Sequence, residues 1–285
     1  MTRAAVRKTY KLYIGGDFPR SESGRTYVVN DAKGTFQANA SLASRKDARD
    51  AVRAARSAFA GWSGKTAYNR GQVIYRIAEV LEGRRDQFEA ELKAAEGITA
   101  AKARTYVDAA IDRLVYYAGW ADKIAQVTGG ANPVAGPYFN HSAPEPSGVI
   151  AVVAPAGPLL GLVSVVAPVI TTGNTCVVIA SEQYPLTAIT LAEVMATSDL
   201  PGGVVNVLTG SVAEIAPWLA THLDVNGIDL TGVTDPELAR TLEESGAENL
   251  KRVRRPGLGD LVATPPLDRM TKFLETKTVW HPMGL

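Results

Sequence analysis

The chain has 285 residues, 46% of them hydrophobic and 21% charged, with a net charge of +1. That balance is an ordinary globular one, long enough for one large domain or two modest ones, and without a basic run it excludes the electrostatic footprint of a nucleic-acid binder. A single cysteine, Cys176, excludes an internal disulfide and a thiolate metal cluster.

Met1 to Lys8 is basic but no apolar core follows it, so it does not read as a secretory signal, and a cytoplasmic location is the expectation. From Lys11 to Ala40, short alternating runs (Leu12–Ile14, Tyr27–Val29) are broken by Gly15-Gly16 and Asn30-Asp31, which predicts a hairpin-rich opening. Ser44 and Asp47 offer a capping pattern before a helix whose apolar face is Ala48, Ala51, Val52, Ala55 and Phe59. Further helices are expected over 67–83, 85–96 and 100–124, with Tyr116, Tyr117 and Trp120 as packing groups. A break at 128–137 precedes an alternating stretch at Tyr138–Ser142.

Gly148 to Gly210 then holds three short Val/Ile-rich runs separated by two longer apolar segments. Runs apolar on both faces suit parallel strands covered by helices on either side, and parallel neighbours need crossovers. The pattern predicts strand–helix–strand–helix–strand, the heart of an α/β, doubly wound, mostly parallel sheet. Val149 to Ser181 carries no charge and is long enough to span a bilayer, but Pro155, Pro158, Pro168 and Gly173 punctuate it as strand–helix boundaries, so no membrane span is expected. Beyond it, a helix near 213–222, a strand at 226–230, a helix near Pro236 and a strand at 250–253 follow. Arg254–Pro266 reads as a linker, and 270–280 as a turn and a strand. His141, His222 and His281 have no metal-ligand spacing, so no metal is expected.

Several of these stretches resemble the aldehyde dehydrogenase superfamily: Lys11–Phe18, Ala51–Trp62, Tyr116–Ile124, Ala167–Thr175, Glu182–Ala188 and Leu200–Gly210, in the family's order. The resemblance implies an NAD(P)-binding-type domain over 1–256 with an N-terminal helical layer and a strand excursion near 128–147. It implies a linker at 257–266, where the family has its catalytic domain, and an oligomerisation-type tail at 267–285. Two projecting oligomerisation strands are expected in all, and a homo-oligomer or a hetero-oligomer with an intact aldehyde dehydrogenase.

The family's reaction oxidises an aldehyde with NAD(P) through a cysteine thiolate, an oxyanion hole and a glutamate base. By the same resemblance the nucleophile falls in the absent domain, the base at Pro256, and the oxyanion asparagine at Gly157 in Pro-Ala-Gly-Pro. No catalytic residue is therefore assigned, and Cys176, in a Val-rich strand, reads as a small buried hydrophobe. For the cofactor, the ribose lysine becomes Ile179, and Glu182 is kept. Glu182 either accepts from ribose hydroxyls or stands as a solvated loop carboxylate. Gly210, Thr231 and Gly232 complete the candidate NAD or NADP site. In the phosphate-facing turn the family's serine is replaced by Val233, and Asp235 adds unfavourable charge. Three functions are carried forward: an incompetent assembly partner, an NAD(P) sensor, and an oxidoreductase completed by another chain.

Overall fold

The opening forms one hairpin, β1 (Thr26–Asn30) against β2 (Phe36–Ser41), in a computed structural model that describes residues 7–257 and 259–284. The start of the chain, Met1 to Val6, lies outside the described residues. Leu12–Ile14 forms no strand. Tyr13 instead exchanges backbone hydrogen bonds of 2.9 and 2.7 Å with Val207, because Gly15 and Gly16, at φ 66° and 95°, turn the chain back at once.

Four long helices follow. In α1 (Arg45–Ser63) the Ser44 hydroxyl accepts from the Lys46 and Asp47 N–H groups, and the Asp47 carboxylate accepts from the Ser44 N–H at 2.8 Å, the expected capping box. Its face of Ala48, Ala51, Val52, Ala55 and Trp62 is buried. Thr66 and Thr99 cap α2 (Ala67–Gly83) and α4 (Ala100–Trp120), which flank α3 (Arg85–Glu96). The fourth helix ends at Trp120 instead of Ile124. Lys123 folds back to the Gly119 carbonyl at 2.6 Å, satisfying a terminal acceptor, and a one-turn helix α5 (Ile124–Thr128) restarts beyond it. Tyr117 is buried, with Tyr116 edge-on to it at 5.2 Å, so this pair packs the core.

Next come β3 (Gly130–Asn132), β4 (Tyr138–Pro146), β5 (Val149–Val153), α6 (Leu160–Thr171) and β6 (Thr175–Ile179). They are followed by α7 (Pro185–Ala196), β7 (Val205–Leu208), α8 (Val212–Thr221), β8 (Gly227–Asp229) and α9 (Pro236–Ala247). The chain closes with β9 (Arg252–Arg254), α10 (Asp268–Thr271) and β10 (Leu274–Pro282). The main sheet is parallel throughout, in the order β7-β6-β5-β8-β9. Ile150, Val152, Cys176 and Val178 face one core, and Val149, Ala151, Val153, Val177 and Ile179 face the other. A strand two-sided in this way must be apolar at every position, which is why the sequence runs of Val and Ile do not alternate. All residues of α6 are buried, so the uncharged run from Val149 to Ser181 is a covered strand–helix–strand unit. No helix among the described residues is long and apolar enough to cross a membrane.

The second sheet, β10-β4-β3, is antiparallel and runs in register from Leu274 opposite Pro146 to Pro282 opposite Tyr138. Asn174 ties its base to the main sheet, accepting from the Gly148 N–H at 2.8 Å and donating to the Phe273 carbonyl at 2.9 Å. The described residues of the stretch 257–266, all but Leu258, hold neither helix nor strand, but the stretch is anchored. Arg113 donates to the Leu261 and Ala263 carbonyls, and the Tyr116 hydroxyl donates to the Pro265 carbonyl at 3.3 Å.

Candidate functional site

The chain leaves β5 for β6 and β7 on one side and returns to β8 on the other. Such a reversal opens a crevice beyond the carboxyl ends of the strands, where open α/β sheets bind ligands. Glu182, Gly210, Thr231 and Gly232 follow β6, β7 and β8, so all four stand at this edge.

Each is engaged by the protein itself. Glu182 is exposed, and its carboxylate accepts from the N–H of Val212, the first residue of α8, whose Ser211 cap makes no side-chain bond. A carboxylate at that position is favoured by the helix dipole and satisfies an orphan donor. Gly210, at φ 134°, has Ala43 and Leu42 pressed against it: an added Cβ would lie 2.9 Å from Leu42 Cδ1 and 3.1 Å from the Ala43 nitrogen. Thr231 is buried. Its N–H donates to Asp229 Oδ1 at 2.8 Å, its hydroxyl donates to the same oxygen, and Arg269 donates to that hydroxyl at 2.9 Å. The Gly232 N–H donates to the Val153 carbonyl at 3.0 Å. A Cβ on Gly232 would come 2.7 Å from the Pro155 nitrogen and closer still to the Ala154 carbonyl. The close approach that glycine permits here is therefore between the segments that follow β5 and β8 in the chain itself.

A dinucleotide fits these residues only in part. The Gly232 N–H and the Thr231 hydroxyl are not free donors, and Asp235 caps α9 by accepting from the Glu237 N–H at 3.0 Å, an acid close in sequence to the turn that the family resemblance assigns to the phosphates. Glu182 would hold a ribose hydroxyl, and the Gly210 turn would border it. Ile179, at the ribose-lysine position, is wholly buried in β6.

Cys176 is also wholly buried. Its backbone is locked between Val204 and the Asn206 side chain, and burial drives its thiol pKa well above the ordinary cysteine range. Gly157 packs against Leu261, whose Cδ1 lies 3.6 Å from where a Cβ would stand. Pro256 is exposed at the exit from β9.

Sequence reasoning missed the Asp229–Thr231–Arg269 cluster. Asp229 is 2% exposed and Arg269 8%, with 3.7 Å between their charged atoms. Burial raises the Asp229 pKa, while Thr231 and Arg269 act to lower it. The available signal was a lone acid inside the apolar strand Gly-Ile-Asp-Leu. His141 and His281, far apart in sequence, flank Phe139 at 6.0 and 6.4 Å because β10 pairs with β4. His222 stacks edge-on with Trp218 instead.

The family model described as "Aldehyde dehydrogenase family" matches residues 18–255. Cytosolic aldehyde dehydrogenase 1 of Elephantulus edwardii is 36% identical over 264 residues, covering 89% of this chain and 51% of that relative. Retinal dehydrogenase 2 of Gallus gallus is 37% identical over 257 residues, covering 86% and 48%. The NAD⁺ complex of the Bacillus cereus aldehyde dehydrogenase superimposes with a TM-score of 0.81 at 28% identity, covering 86% of this chain and 50% of that one. The chain thus spans about half the length of the curated relatives it matches.

Proposed function

The chain belongs to the aldehyde dehydrogenase family, and from that premise we propose that it is catalytically incompetent alone and acts as an assembly partner, with itself or with an intact family member. The observation that carries this reading is Cys176. It is the sole cysteine of the sequence, 0% exposed, and its thiol is held protonated by burial. A thiolate open to a carbonyl is what aldehyde oxidation needs, and a buried thiol cannot supply it. The projecting sheet supports the second half of the reading: Tyr138 and Trp280 are exposed on one of its faces and Phe139 and Val279 on the other, apolar surface of the kind that marks protein contacts.

Mass photometry of the purified chain, alone and mixed with an intact aldehyde dehydrogenase, tests it together with an assay for aldehyde-dependent NAD(P)H formation. An oligomer without turnover is expected. A strict monomer that also ignores the intact enzyme would sink the assembly reading, and turnover by the chain alone would sink incompetence. Turnover only in the mixture would favour an oxidoreductase completed by the partner.

A second reading, an NAD(P) sensor, draws on the convergence of Glu182, Gly210, Thr231 and Gly232 at one sheet edge and on the NAD⁺ held by the Bacillus cereus relative. It ranks behind because so many donors at that edge are already engaged. Calorimetry with NAD⁺, NADH and NADPH giving no heat would dispose of it.

A further inference from the structure

Arg113 stands on the buried face of α4 beside Ala110, Leu114 and Tyr117, and is 7% exposed. Its guanidinium donates to the Ser164 hydroxyl at 3.0 Å, to the Leu261 carbonyl, and to the Ala263 carbonyl at 2.9 Å. All three acceptors are neutral, and burial works against the positive charge. A planar guanidinium is matched best by a carboxylate, whose charge-assisted pair of bonds is roughly twice as strong as neutral ones. The two carbonyls come from an irregular strap, 259–265, whose Gly259, Asp260 and Val262 are exposed. Beside them opens a cleft of about 390 Å³ bordered by Thr105, Asp112, Tyr116 and Val262–Pro265. The acids around it are mostly spoken for: Asp108 pairs with Arg85, and Asp260 accepts from the Val262 N–H at 2.9 Å. Asp112 remains on the rim.

We infer that Arg113 anchors a binding site for a small organic carboxylate, separate from the residues at the ends of β6, β7 and β8, and that the Leu261 and Ala263 carbonyls of the strap, both bonded to Nη2, stand where a carboxylate oxygen would bind. Ligand and strap then compete for the Nη2 of the guanidinium, while Nη1 stays with Ser164. A carboxylate entering the cleft frees the two carbonyls, and the Leu261 side chain, packed over Gly157 and Gly161, loses its backbone anchor. Asp112 opposes the incoming charge, so the site favours a ligand whose single carboxylate reaches Arg113 and whose other end stays near Tyr116 and Thr105.

The test titrates the full chain with acetate and propionate at constant ionic strength, by calorimetry and by hydrogen exchange of the strap amides. Saturable binding is expected, with exchange over 259–263 accelerated by about tenfold or more at saturation. Arg113→Gln should weaken binding by at least about tenfold. Should that variant fail to fold, two others decide: Leu261→Ser loosens the strap and Asp112→Asn removes the opposing charge, and each should tighten binding. No saturable binding, binding that leaves strap exchange unchanged, chloride competing as well as carboxylate, or no gain in either tightening variant would overturn the inference.

Discussion

At the carboxyl edge of the main sheet, groups that could meet a ligand are taken up by the protein. Glu182 caps α8, Thr231 bridges Asp229 and Arg269, and the Gly232 N–H bonds to Val153. On the projecting sheet the opposite holds. Tyr138, Phe139 and Trp280 are 42%, 47% and 57% exposed, and the aromatic contacts they make lie within that sheet, Tyr138 with Trp280 at 5.9 Å and Phe139 with His141 and His281. Internal satisfaction stabilises an edge and leaves it fewer groups to offer a ligand. Unsatisfied apolar surface is kept available for association, at a cost in hydration.

The sharpest way to break this contrast is at Arg269. Arg269→Met should destabilise the fold by about 3–5 kcal/mol in urea unfolding, because it strands the buried Asp229 without its cation; a change near zero would mean that the edge does not depend on the cluster. Gly232→Ala should cost about 1–3 kcal/mol by forcing β8 away from Ala154, measured the same way. A smaller effect is expected at Cys176: replacement by Ala should cost roughly 1 kcal/mol, and the native thiol should resist a disulfide reagent until the chain is unfolded. Rapid native labelling would contradict both its burial and the proposed incompetence.

Lys251 gives a pH dependence. It is buried, donates to the His222 carbonyl at 2.7 Å, and burial lowers its pKa to about 8. Between that value and the unfolded one near 10.5 the unfolded chain binds the extra proton, so this group makes stability rise with pH across that window. Thermal midpoints of wild type and Lys251→Met, compared across it, should show the rise only in wild type. The smallest thermodynamic effect belongs to the projecting sheet. Trp280→Ser, at an exposed site, should change stability by no more than about 0.5 kcal/mol, yet reduce self-association or pairing seen by mass photometry. Loss of stability without loss of association would invert the comparison.

Local chemistry made much of the fold legible. Ser44 marks a helix start through a hydroxyl that accepts orphan N–H groups. The Val/Ile runs at 149–153 and 175–179 mark two-sided strands, and the order of the motifs identified the family. The candidate site was legible only as positions along the chain. Where Glu182 points depends on α8, whose N-terminus lies 30 residues downstream. Whether the Gly232 N–H is free depends on Val153, in a strand that pairs with β8 across the sheet reversal.

What the sequence determined by itself was the alternation of elements and the place of its one thiol within a core strand, since these follow from residue type and short-range pattern. Tertiary structure alone decided which polar groups are left over for a ligand or a partner. Hydrogen-bond donors and charges are satisfied across distances of tens to more than a hundred residues, as Arg113 is by Ser164, Leu261 and Ala263, and no local pattern records which acceptor the fold will bring to each.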